Sequence, residues 1–94
     1  MITVDKLIWD EWNIAHIARH NIIPDEVEQV CHGDYTTLET YKGRIVVIGP
    51  TERGHTLFIV LAPREAKVYY PVTARVADRK ERAYYQKMKR GETK

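Results

Sequence analysis

Two groups of residues in this sequence have types and spacings that could do chemistry. His16 and His20 stand four apart, so a helix would stack them on one face at the spacing of a two-histidine metal site. Zinc needs at least a third protein ligand, and no spacing ties Cys31, His32 or His55 to the pair. The histidines therefore read as lining a polar surface, able to serve as acid, base or phosphate contact, with no metal and no cofactor expected. Cys31 has no basic neighbour except His32 and reads as core filler rather than a nucleophile.

The second group is arginine interleaved with tyrosine. Arg44, Arg53 and Arg64 fall on or beside strands, Arg75 precedes the last helix, and Arg79 and Arg82 lie on it, among Tyr69, Tyr70, Tyr84 and Tyr85. Guanidinium groups pair bidentately with phosphates and aromatic faces stack on unpaired bases, so RNA is the ligand this composition fits. RNA cleavage needs a base for the 2′-hydroxyl proton, a cation over the phosphate and an acid for the leaving oxygen. Glu81, Arg75, His20 and Tyr85 could supply those parts without a metal. Taken alone, the same residues fit structural pairing or plain polyanion contact better than catalysis. No Gly-rich phosphate loop, Gly-x-Ser-x-Gly elbow or paired-carboxylate motif is present, which argues against nucleoside-triphosphate, acyl-transfer and glycosidase chemistry.

These side chains must be positioned by short elements. Leu7-Ile8-Trp9 reads as an opening strand, and Asp10 caps a helix to about His20. Its wheel puts Trp12, Ile14, Ala15, Ile17 and Ala18 on one arc and Asn13, His16 and His20 on the other. Pro24, Asp25 and Glu26 open a second helix with Val27, Val30 and Cys31 inward, which Gly33 stops. Strands follow over Tyr35–Thr40, Arg44–Gly49, Thr56–Ala62 and Lys67–Thr73, with a tight turn at Tyr41-Lys42-Gly43 and a hairpin loop at 50–54. Pro71 removes a ladder donor and belongs at a sheet edge or a bulge. Asp78-Arg79-Lys80-Glu81 has the form of a capping box opening a helix to about Arg90, with Tyr84, Tyr85 and Met88 inward. Glu81 falls in that inward arc and needs a partner, for which Arg75 is nearest. The expectation is one α+β domain: N-terminal helices, an antiparallel sheet of about four strands and a basic C-terminal helix, with the helices on one face of the sheet.

At 94 residues, 44% hydrophobic and 30% charged, the chain suits a single ordinary domain. The net charge of +2 conceals a polarity. Residues 1–40 carry two bases against eight acids, residues 41–74 five against two, and residues 75–94, including Lys94, eight against three. A basic second half suggests a polyanion or acidic-peptide surface. The longest apolar run, Leu57 to Ala62, is too short to span a membrane, and the first residues lack the basic flank and apolar stretch of a secretory signal. With one cysteine, a cytoplasmic setting is expected.

Ile8-Trp9-Asp10-Glu11-Trp12-Asn13, His16-Ile17-Ala18-Arg19-His20 and Pro24–Val30, followed in order by Arg44–Thr51, Leu57-Phe58-Ile59-Val60, Tyr70–Arg75 and Glu81-Arg82-x-x-Tyr85, resemble BrnT-like toxins over about residues 6–87. The resemblance implies a RelE-like α+β fold and a metal-independent ribonuclease toxin of a type II toxin–antitoxin pair. It also implies an RNA substrate and a cognate antitoxin protein, by analogy in a heterotetramer. It carries over Arg75, Glu81, Arg82 and Tyr85 from the closing motif and His20 from the helix-end motif. Asn21 stands where the family has glycine, and Asn tolerates the left-handed conformation. His55 stands where many members have arginine, a stronger anion ligand than neutral imidazole. A non-catalytic RNA- or antitoxin-binding module on a degenerate toxin fold is the other reading.

Overall fold

The structure, a computed structural model, describes residues 2–91; Lys94 lies outside them. The elements run β1 (Lys6–Leu7), α1 (Glu11–Ala18), α2 (Pro24–Cys31), β2 (Thr36–Glu39), β3 (Ile45–Pro50), β4 (Thr56–Glu65), β5 (Val68–Val76) and α3 (Arg79–Lys89), with a 3-10 turn at Tyr41–Gly43. This is the expected α+β order. The sheet has the spatial order β1-β5-β4-β3-β2, antiparallel from β5 to β2, with β1 added as a parallel two-residue edge.

The helices do not share one face. Alternate residues of a strand point to opposite sides, so two apolar sets separate along β3 and β4. Val47, Leu57, Ile59 and Leu61 pack with Ile17 of α1 and Val27, Val30 and Cys31 of α2. Val46, Ile48, Phe58 and Val60 pack with Tyr84 and Tyr85 of α3 on the other side. The near-continuous apolar runs of these strands require covers on both faces, which corrects the one-face expectation. Burial of each large apolar side chain contributes about 1.5–3 kcal/mol.

Helix α1 is rotated from its expected setting. Its buried stripe is Asn13 and Ile17, while Trp12 is 58% exposed and Ile14 41%. Asn13 decides the rotation. Its backbone N–H donates to Asp10 Oδ1 at 3.0 Å and its Oδ1 accepts from the Asp10 N–H at 2.9 Å, closing a capping box. Its Nδ2 donates to the carbonyls of Ile8 (2.9 Å) and Pro71 (3.1 Å). The pairing of the first strand with β5 ends at the Ile8 N–H, which donates to Tyr69 O at 2.9 Å, and the β4–β5 register shifts between Val60 and Leu61, opposite Pro71. Pro71 thus sits at a bulge, as its missing donor requires. One buried amide serves both stranded carbonyls. The rest of the apolar arc of α1, Ile17 apart, is left to the solvent side, where the Trp12 indole stacks on the His16 imidazole at 4.9 Å.

The turn from α1 to α2 passes through Asn21 at φ 62°, the left-handed conformation expected where glycine would stand. Asn21→Val should therefore destabilise the protein by about 1–2 kcal/mol, whereas Asn21→Gly should hold or slightly raise the melting temperature. Paired thermal melts check both.

Candidate nucleic-acid interface

Strand β5 runs further than its sequence pattern suggests, so Arg75 stands on the strand rather than in a linker. Its cross-strand partner in β4 is Phe58, and paired residues of antiparallel strands share a face. The guanidinium lies over the Phe58 ring, 4.2 Å from its centroid. Two residues on, the Ala77 N–H donates to Thr56 O and holds the chain at the sheet end. Asp78 then caps α3: its carboxylate accepts from the Glu81 N–H, and Glu81 Oε1 accepts from the Asp78 N–H, each at 2.9 Å.

This box aims Glu81 back at the sheet. Arg75 Nη1 and Nη2 donate to Glu81 Oε1 (2.9 Å) and Oε2 (2.8 Å), an end-on bidentate pair; Nη1 also reaches Val76 O at 3.3 Å. Glu81 is the better buried of the two side chains, 18% exposed against 39% for Arg75. The inward carboxylate thus has the partner its sequence position calls for, and the Glu81 hydrogen bonds hold the Arg75 guanidinium firmly in its charged form.

One turn along the helix, Tyr85 is buried beneath α3 and its hydroxyl donates to Asp34 Oδ2 at 3.1 Å. Burial, then the Asp34 carboxylate, push this phenol up to about 12. The Lys89 ammonium pairs with Asp34 Oδ1 and lies 5.9 Å from the Tyr85 ring. Gly49 lets the Asp34 segment approach β3, since a Cβ there would meet the Asp34 carbonyl at 2.5 Å. The Lys89 hydrogen bond lowers the Asp34 carboxyl below its ordinary 3.8, against a smaller opposing effect of burial. A depressed carboxyl adds stability above its unfolded value and loses it as pH falls through the folded one. Acid titration from pH 5 downward should show this, and Asp34→Asn should remove it; at this exposed position the contribution is about 0.5 kcal/mol or less.

The other sequence candidates divide by place. His20 lies beyond the end of α1, on the α1–α2 side of the sheet, edge-on to His16 at 6.0 Å, and is not brought to Arg75. Among the described residues no group of three or more His, Cys, Asp or Glu could hold a metal ion. Arg82 folds back to donate to Ala77 O at 2.8 Å, and Arg79 is exposed on the first turn of α3. Arg53 and His55 are exposed in the β3–β4 loop, at the same end of the sheet as Arg75. Arg44 and Arg64 lie towards the other end; six residues of strand at about 3.3 Å each put Arg64 roughly 20 Å from the Phe58 level. Arg64 stacks on Tyr70 at 4.7 Å, and the Tyr70 hydroxyl donates to the Asp10 carboxylate. These two arginines are therefore not brought together with Arg75.

Sequence reasoning missed Phe58 and Asp34. Phe58 reads as one more apolar strand residue, and only the register pairs it with Arg75. Asp34 stands 51 residues from Tyr85 and carries no local signal. The site is an open face: α3 packs over β3 and β2, leaving Phe58, Val60, Thr73 and Arg75 half-exposed beside it. A hollow of about 380 Å³ lies elsewhere, between Ile2–Val4, Cys31–Tyr35 and Lys89, and contains neither Arg75 nor Glu81. The bidentate Arg75–Glu81 pair lies instead on the open face beside the basic helix α3.

A solved structure with this fold is the ribonuclease toxin BrnT of Brucella abortus, matched with a TM-score of 0.64 at 22% identity over 79% of this chain and 97% of that one. No family model matches the sequence and no curated protein matches it. The fold implied by the sequence motifs is the fold found.

Proposed function

We propose that this chain is a metal-independent endoribonuclease toxin of a toxin–antitoxin pair, cutting RNA in the cytoplasm at the Arg75–Glu81 end of the open sheet face. The observation that carries the reading is the Arg75 guanidinium, laid on Phe58 and clamped by Glu81 beside the basic helix α3. In the reaction the 2′-oxygen bonds to phosphorus and the P–O5′ bond breaks, leaving a 2′,3′-cyclic phosphate and a 5′-hydroxyl. Glu81 takes the 2′-hydroxyl proton on the Oε2 lone pair that Arg75 leaves unused, and the departing 5′-oxygen takes its proton from water at the open face. Arg75 stabilises the charge that develops on the phosphoryl oxygens. Arg79, Arg82 and Arg53 supply nearby positive charge, and Arg44 and Arg64 meet the strand further along. Tyr85 supports the site by seating α3; His20, on the other side, has no step. A cognate antitoxin neutralises the protein by covering this face, and by analogy the complex is a heterotetramer.

The test is incubation of the purified protein with total bacterial RNA, with and without a chelator, beside Arg75→Ala. Cleavage that survives the chelator and disappears in the variant supports the reading. Both Glu81 oxygens are already bonded in the free protein, which favours a second reading, a binding module in which the pair only locks α3 to the sheet. RNA binding that weakens steeply with salt, without cleavage products, would establish that one instead.

A further inference from the structure

The guanidinium of Arg75 is not used up by its ion pair. Of its five N–H donors, two engage Glu81 end-on and the second Nη1–H turns to Val76 O. The Nε–H and the outer Nη2–H, which share one edge of the planar group, take no partner among the described residues. Its central carbon, Cζ, stands over the Phe58 ring, 4.2 Å from the centroid. Two contacts therefore fix the group: the ring sets its tilt and the Glu81 carboxylate its rotation within the plane. What remains is a single two-donor fork, matched in width to two oxygens of one phosphate.

We propose that Phe58 is a positioning residue whose ring holds Arg75 so that its Nε/Nη2 edge receives the two non-bridging oxygens of an RNA phosphodiester while the Nη1/Nη2 end stays on Glu81. This rests on the ribonuclease reading for its RNA ligand, and it deepens that reading by assigning the edge used and the residue that fixes it. Leucine in place of Phe58 keeps an apolar filler beside Val60 and Tyr84 but removes both the flat floor and the negative ring face under the cation. The guanidinium is then free to roll off the strand, and the fork no longer points one way. Tyrosine keeps the ring.

The probe is a dinucleotide carrying 2′-deoxyribose on the 5′ side, which presents the phosphodiester but no attacking hydroxyl. In 15N-labelled wild-type protein the Arg75 Nε–H resonance, identified by its loss in Arg75→Lys, should lie upfield under the Phe58 ring current and shift on titration. Phe58→Leu should remove the upfield position and weaken dinucleotide binding about tenfold, with kcat/KM on RNA falling by a similar factor, and Phe58→Tyr should restore most of both. An Nε–H resonance that the dinucleotide leaves unmoved in the wild-type protein overturns the proposal, and that measurement does not depend on any variant folding. Wild-type binding and cleavage by folded Phe58→Leu overturn it too, leaving the ribonuclease reading intact. A shifting resonance in a protein that cuts no RNA would defeat the ribonuclease reading and leave the phosphodiester fork standing.

Discussion

Replacing Arg75 with alanine is expected to lower RNA cleavage by about a hundred- to a thousandfold, the usual cost of removing one preorganised donor from a transition state. The effect is large because the site is assembled around this group. Phe58 lies beneath it, Glu81 clamps it, and Asp78 holds Glu81 in turn. Arg75→Lys should lose nearly as much, since an ammonium is a point donor that cannot bond Glu81 end-on and present a second fork. Arg75→Ala also leaves Glu81 without its partner in a largely covered position, at about 1 kcal/mol, or roughly 4–8 °C in melting temperature. The cleavage assay therefore belongs below the variants' unfolding transition, with a melt recorded alongside. In cells, expression of the unaltered chain without an antitoxin should arrest growth and Arg75→Ala should relieve the arrest. Normal growth on strong expression of folded wild-type protein would count against the toxin reading.

The largest effect on stability is expected at Asn13, far from that chemistry. Asn13→Ala removes a fully buried amide that makes one half of a capping box and caps two stranded carbonyls, while the backbone half, Asn13 N–H to Asp10 Oδ1, remains. The lost hydrogen bond from the Asp10 N–H costs about 1 kcal/mol and the two unsatisfied carbonyls add about 2, so the total is about 3 kcal/mol and the melting temperature should fall by roughly 12–24 °C. Asn13→Asp is the sharper test. It keeps shape and volume, yet points a carboxylate oxygen at two carbonyl oxygens in a site without water access, and it should be at least as damaging as alanine at pH 7. An Asn13→Asp variant as stable as the wild type would show that Nδ2 does not carry the bridge.

Much of the local structure was legible because it depends on neighbours in the chain. The Asp10 and Asp78 caps, the Pro24 start and the hairpin between β3 and β4 all follow from backbone chemistry within a few residues, and the family resemblance added the left-handed turn at Asn21. The Arg75–Glu81 pair was legible too, six residues apart, because a carboxylate on the inner face of α3 demands a cation. The rotation of α1 was not. Its wheel has an apolar arc and a polar one, and hydrophobicity alone turns Trp12 and Ile14 inward; the helix turns the other way because Asn13 answers carbonyls at Ile8 and, 58 residues distant, at Pro71.

The same division holds at the site. Residue types determined that this is an α+β chain with a basic end and an arginine beside a carboxylate, and they made phosphate recognition a chemistry to test. Only the folded sheet decided that α3 lies across the face opposite α1 and α2, that Phe58 is the floor under Arg75, and that His20 stands away from both. Strand register and the choice of face depend on where long-range apolar surfaces and stranded hydrogen-bond groups find partners. Those partners are distant in sequence, so no local pattern encodes them.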